Sequence, residues 1–140
     1  ITVNTPSINQ AILGGILLKY NYSLRTENIN KVADLKKKRD LFISNLNYYL
    51  DKEKYIWSRD ISWNEPNGGF FLTINVPFMV DEKEVIICAK EYGVIFTPMS
   101  FFYFGKGGEY QIRVAYSNIS YENIPVAIGK LASYFKNKLI

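Results

Sequence analysis

Between Gln111 and Ser117 the chain alternates apolar and polar residues, QIRVAYS, with an arginine on the polar beat. Successive side chains of a strand point to opposite faces. Ile112, Val114 and Tyr116 therefore share one face, and Gln111, Arg113, Ala115 and Ser117 the other. The run GGFFLTINV has the same period, setting Phe70, Leu72, Ile74 and Val76 against Phe71, Thr73 and Asn75, and Pro77 closes it. Most other apolar residues recur at helical spacing. Such a chain buries one apolar sheet face under helices and leaves the opposite face, with Thr73, Asn75 and Arg113, to meet something else. The expected fold is α+β, a small mostly antiparallel sheet with helices packed on one face.

The elements read as helix, long helix, strand, strand, helix, strand, strand, helix. Thr5-Pro6 opens the first as N-cap and first helical residue, and the helix runs to about Tyr20. It is apolar on most sides, with Gly14 and Gly15 in the middle, which predicts burial against another domain or subunit. A longer helix spans about Ile29 to Leu50, with Lys36-Lys37-Lys38-Arg39 on its solvated face. Tyr55 to Trp63 reads as a strand closed by Glu65-Pro66-Asn67-Gly68. Asp81 caps a third helix in a capping-box spacing with Glu84; Val85, Ile86, Cys88, Ala89 and Tyr92 form its inner stripe, and Gly93 stops it. Val94-Ile95-Phe96 is a buried strand ended by Pro98. Pro125 places the start of the last helix near Asn123, because proline is tolerated only in the first turn.

At 140 residues the chain is one domain's worth of core. It has no histidine, which removes imidazole bases, His-based triads and His metal sites. Its single cysteine, Cys88, excludes an internal disulfide or a CxxC metal site and reads as a buried, inert thiol. A net charge of +4 is mild, and its lysines fit helix faces, so nucleic acid is not an expected partner. AILGGILL is too short to span a membrane, and no membrane role is expected. The chain opens without methionine or a signal-peptide pattern and reads as a piece of something longer.

Arg113 has two readings on residues alone. It is a solvated or ion-paired strand arginine, or, if its face lines a cleft, a fork that grips a carboxylate through two parallel charge-assisted bonds. Gly68-Gly69 is either a hairpin turn or a point of close backbone approach to a ligand. GKGG at 105–108 is no phosphate loop, since no Ser/Thr follows the lysine and no helix opens there; it reads as a flexible loop tip. Phe101-Phe102-Tyr103-Phe104 reads as packing, dense enough to line an apolar pocket.

One ordered set of motifs is more specific. Pro66-Asn67-Gly68-Gly69-Phe70-Phe71, Gly93-Val94, Pro98, Phe102-Tyr103 and Ile112-Arg113-Val114-Ala115-Tyr116-Ser117 follow one another as in the small domain of fold-type I pyridoxal-phosphate-dependent aminotransferases. Within class I/II the chain most resembles the aminoadipate and kynurenine aminotransferase branch. Upstream, Thr5-Pro6-Ser7 with Gln10 and then Lys38-Arg39-Asp40 are similar to the stretch just after the cofactor region in that branch. The resemblance covers essentially the whole chain. It implies a C-terminal domain in which about 1–27 form an interface helix and connection and 28–140 the α+β small domain. Arg113 would bind the substrate α-carboxylate, with Gly68, Gly69 and Phe102 near the substrate. Asn4 and Thr5 would lie toward the partner subunit's cofactor. The implied protein is a cytoplasmic homodimer that uses pyridoxal 5'-phosphate on an α-amino acid.

Two departures qualify that likeness. Met99 stands where the family has glycine after the proline, and Pro98-Met99-Ser100-Phe101-Phe102-Tyr103 is similar to arginine-processing, capreomycidine-synthase-like relatives. The family's cofactor lysine, in a Ser/Thr-x-x-Lys or Ser-Lys context before Gly-x-Arg-x-Gly, is not in this sequence, nor are its pyridinium aspartate and ring-stacking aromatic. The resemblance thus implies a fragment inactive by itself, its pyridoxal-phosphate domain N-terminal and missing. The alternative is a free-standing α+β ligand-binding or dimerisation module without catalytic activity.

Overall fold

The two alternating runs pair with each other at the centre of the sheet. Strands β2 (Phe71–Asn75) and β4 (Gln111–Ala115) are antiparallel, with Leu72 opposite Val114, Thr73 opposite Arg113 and Ile74 opposite Ile112. Two-residue strands flank them, β1 (Ser62–Trp63) on β2 and β3 (Thr97–Pro98) on β4, giving the order β1-β2-β4-β3, antiparallel throughout. The structure is a computed structural model that describes residues 6–140. The first expected helix is α1 (Ser7–Lys19) and the second α2 (Arg25–Tyr49). α3 (Glu82–Ile87) passes into a π-helical turn, Cys88–Tyr92, and α4 (Asn123–Leu139) closes the chain. Contacts divide it into two units, Ile1–Asp34 and Leu35–Ile140, with the division inside α2.

In the second unit the period-2 pattern sorts the sheet as expected. Leu72, Ile74, Val76, Ile112, Val114 and Tyr116 are buried under helices, in one core with Phe42 and Leu46 of α2, Leu50 just after it, and Ile124, Ile128, Leu131 and Phe135 of α4. Burying each such side chain contributes about 1.5–3 kcal/mol. Phe70, assigned to the same face, is instead exposed, because it precedes the ladder. α3 begins as its spacing predicts: Asp81 Oδ1 accepts the Glu84 amide at 3.1 Å. The box is not reciprocal, since the Glu84 carboxylate turns to α4, where Tyr134 Oη donates to it at 2.7 Å and Lys138 Nζ at 2.5 Å. Gly93 ends this helical segment with φ +68°, the left-handed conformation that favours glycine. Cys88 is buried, and burial pushes its thiol up to about 11, as an inert cysteine requires. α4 starts at Asn123, which puts Pro125 in the first turn where its missing N–H costs nothing.

Several expectations are corrected. Tyr55–Trp63 is mostly not strand. Ser58 Oγ donates to the Asp51 and Tyr55 carbonyls, and Asp51 Oδ1 accepts the Glu53 and Lys54 amides. These local bonds satisfy the backbone in a 3₁₀ turn, Ile56–Ser58, leaving two residues for the ladder. Val94–Phe96 also stays outside the sheet. The ladder starts at Thr97, and Pro98, opposite Ile112, is its last pair. Ile86 of the expected inner stripe is exposed. The basic run of α2 is not uniformly solvated: Lys38 Nζ donates to the Ser117 carbonyl at 3.1 Å and Arg39 Nη1 to that of Pro66 at 3.1 Å.

In the first unit, Pro6 rather than Thr5 takes the N-cap position of α1, and Thr5 lies outside the described residues. No residue of α1 is buried; Ile8 is 75% exposed and Leu18 63%. Ile29 and Val32 of α2 are exposed as well.

Candidate functional site

The sheet face away from the helices is arranged in transverse rows by the strand register. One row is Ser62, Asn75 and Gln111, a hydrogen-bonded chain across three strands. Asn75 Nδ2 donates to Ser62 Oγ at 2.9 Å, and Gln111 Nε2 donates to Asn75 Oδ1 at 2.7 Å. These amides pin each other's orientation, a cross-strand contribution of the kind that fixes a sheet surface. The next row is Thr73, Arg113 and Thr97, with Arg113 on the central strand between two threonines.

Arg113 is half-buried, and its partners are rings. Its guanidinium carbon lies 4.3 Å from the centroid of Phe71, on the neighbouring strand, and 4.1 Å from that of Phe102. Among the described residues no carboxylate stands in ion-pair range of this cation. The ion-paired reading therefore finds no partner here. Aromatic faces attract a guanidinium without using its N–H donors, which stay available in the plane of the group.

Phe102 ends a 3₁₀ turn, Met99–Phe102, that follows β3 directly. The expectation that residues 101–104 pack as core is not met, since Phe101, Phe102, Tyr103 and Phe104 are all exposed. Gly105 is open, as a loop tip should be, but Gly107 and Gly108 are not. A Cβ on Gly107 would run into the Tyr103 ring, and one on Gly108 would meet the Met99 carbonyl carbon at 2.7 Å. Both have positive φ, +139° and +74°, so loop and aromatic turn pack together where only glycine fits. The Gly107 amide donates to Glu109 Oε1 at 2.8 Å, and that bond first of all holds the Glu109 carboxyl below its usual range.

Gly68-Gly69 lies at the entrance to β2. Gly69 takes φ +89°, and Tyr116 Oη donates to its carbonyl at 2.9 Å from the far end of β4. Burial raises the Tyr116 hydroxyl above its ordinary range, the Arg39 cation opposing this, so it is a proton donor at neutral pH. Arg39 ties the same turn through Pro66, and no heavy atom outside their own chain neighbours comes within 4 Å of a Cβ built on either glycine. The turn is thus anchored from behind and open in front. Of the expected site residues, Arg113 and Phe102 are brought together, and Gly68-Gly69 is held at the β2 end of the sheet. Asn4 lies outside the described residues, as Thr5 does. The ring contact between residues 102 and 113 has no signature in the linear pattern.

No protein-family model matches the chain. It is 37% identical over 139 residues to the (S)-3,5-dihydroxyphenylglycine transaminase of Amycolatopsis orientalis, covering 99% of this chain and 31% of that protein. It is 27% identical over 137 residues to the 2-aminoadipate transaminase of Thermus thermophilus, covering 98% and 32% respectively. Among solved structures it superposes with a TM-score of 0.71, at 25% identity, on the α-aminoadipate aminotransferase of Thermus thermophilus complexed with N-(5'-phosphopyridoxyl)-L-leucine. That match covers 96% of this chain and 32% of the other. The chain spans about a third of the length of the curated relatives it matches. It is a small α+β domain homologous to the class I/II branch of fold-type I pyridoxal-phosphate-dependent aminotransferases.

Pyridoxal phosphate needs a lysine at its aldehyde carbon and donors around its phosphate. None of the four strands contains a lysine, and the free face presents one guanidinium among neutral hydroxyls and amides. These residues do not form a site for the cofactor itself. A guanidinium so placed can bind a carboxylate.

Proposed function

We propose that this chain is the small domain of a pyridoxal-phosphate-dependent aminotransferase acting on an α-amino acid, and that Arg113 binds the substrate α-carboxylate. The observation that carries the proposal is the half-buried guanidinium, held by two rings and without a carboxylate partner among the described residues. The homology to transaminases supports the reaction class. In this reading the cofactor and its lysine belong to a preceding domain. Residues 28–140 are the small domain, and 1–27 the interface helix and connection of a cytoplasmic homodimer. Exposed apolar side chains along α1 support a second subunit there. Gly68-Gly69 borders the cleft between the domains. The Met99–Tyr103 stretch supports an altered pocket mouth, with the arginine-processing relatives as the narrower class.

The chain's part is to bind and orient. Two in-plane N–H donors seat the carboxylate, and closure of this domain over the cofactor fixes the Cα–H bond for proton removal. The cofactor supplies the electron sink. In the full-length protein, Arg113→Ala should lower kcat/KM for an α-amino acid by about 30-fold or more, since truncating one partner of a desolvated charge pair costs about 2–5 kcal/mol. Bound cofactor should be unchanged, and Arg113→Lys should recover only part of the loss. Unchanged kinetics would refute the assignment. A mature native chain of about this length, by intact mass, would move the reading to a free-standing binding or dimerisation module.

A further inference from the structure

We propose that Phe102 is a positioning residue that acts through Arg113, and that Gly107 and Gly108 brace it; this rests on the carboxylate-binding reading of Arg113. The two rings on the guanidinium have unequal support. Phe71 belongs to β2, and its place is set by the ladder that pairs Phe71 with Ala115 and Thr73 with Arg113. Phe102 stands on a turn outside the ladder and is 52% exposed, yet its ring lies 4.1 Å from the guanidinium carbon.

Both rings lie within cation–π reach of the one guanidinium, which spends none of its N–H donors on them. Those donors lie in the guanidinium plane, where a carboxylate can accept two parallel bonds. With the Phe71 ring alone the guanidinium has one support fewer and more freedom to tilt. Phe102 thus acts on the ligand through the fork it holds.

What keeps Phe102 there is the glycine loop. The Tyr103 ring occupies the space a Cβ on Gly107 would need, and the backbone of Met99 and Ser100 occupies that of Gly108. The Tyr103 amide donates to the Ser100 carbonyl at 3.2 Å, and the loop end is tied down where the Val80 amide donates to the Glu109 carbonyl at 2.7 Å. A methyl group at Gly108 must push the backbone of the turn that carries Phe102, and one at Gly107 must displace the Tyr103 ring beside it. The atoms nearest to a methyl group at either glycine belong to Met99, Ser100 and Tyr103, so its effect on carboxylate binding passes through the turn.

The test uses the full-length protein, the free α-amino acid it turns over fastest, and that amino acid's methyl ester, which keeps the shape and removes the charge. The readout is the acid-to-ester ratio of kcat/KM, with cofactor content as a control. Phe102→Ala and Phe102→Leu should lower the ratio about tenfold, mainly through KM, Phe102→Tyr should restore it, and Gly108→Ala should mimic the loss. Wild-type ratios for Phe102→Ala and Phe102→Leu, with the ratio lost in Arg113→Ala, would overturn the positioning role and leave the carboxylate site standing. A Tyr variant no better than Leu would also overturn it. An unchanged ratio in Arg113→Ala would remove the site itself.

Discussion

Tyr134→Phe isolates one hydrogen bond, because the ring environment survives the change. The Tyr134 ring is 1% exposed and sits among Phe78, Tyr92, Phe96 and Phe135, with centroids 5.6–6.0 Å away. Phenylalanine fills the same space and loses only the hydroxyl that donates to Glu84 Oε2 at 2.7 Å. A hydrogen bond to a charged group contributes about 1.5–3 kcal/mol, so the variant should lose that much stability. Glu84 is also held by Lys138, a partly exposed pair that contributes up to about 1 kcal/mol and survives in Tyr134→Phe. Urea unfolding of Tyr134→Phe, Glu84→Ala and the double variant closes a cycle, with an expected coupling of about 1.5–3 kcal/mol. pH provides a second arm. Burial first, and then the bond to Glu84, hold the hydroxyl well above its ordinary range. The stability it contributes is complete below the unfolded tyrosine value and falls as pH rises beyond it, because only the unfolded state then ionises. The phenylalanine variant should lose that part of the alkaline slope. A cost below about 0.5 kcal/mol with no coupling would refute the reasoning, and would mean that water replaces the hydroxyl at Glu84 without loss.

Cys88 should add a separate alkaline transition. Its thiol is raised from 9.0 to about 11, so stability should fall between those values by roughly 2–3 kcal/mol, and Cys88→Ala should remove that part of the slope in a pH-dependent thermal melt. Residues on the two faces of β2 should behave oppositely. Leu72→Ala should cost about 2–5 kcal/mol by opening a cavity under the sheet, whereas Asn75→Ala should stay within about 1 kcal/mol. Equal costs in chemical denaturation would mean that the two faces are not sorted as described.

Legibility followed the range of the forces involved. The faces of β4, the Asp81 cap, the Gly93 stop and the Asn123 start depend on a few neighbouring residues, and each stands where its pattern put it. Tyr55–Trp63 misled because its aromatic and β-branched content suits a strand, while Ser58 and Asp51 offered the backbone nearer partners. Lys38 and Arg39 looked like any basic helix surface. Their carbonyl partners lie 79 and 27 residues away, which spacing does not encode. The glycines at 107 and 108 read as slack for the same reason, since the ring and backbone that crowd them are known only once the turn is folded. Arg113 was legible as a residue and not as a geometry. Its face came from alternation, while its ring partners came from the next strand and from a loop.

The alternation of β2 and β4 has a consequence for how this domain can be altered. Stability is written on the even positions, 72, 74, 112 and 114, and contact with the outside on the odd ones, 71, 73, 75, 111 and 113. Every second codon can then be randomised with little effect on the core. A library at 73, 75 and 111, with Arg113, Phe71 and Phe102 kept, varies the floor around the cation while its support stays in place.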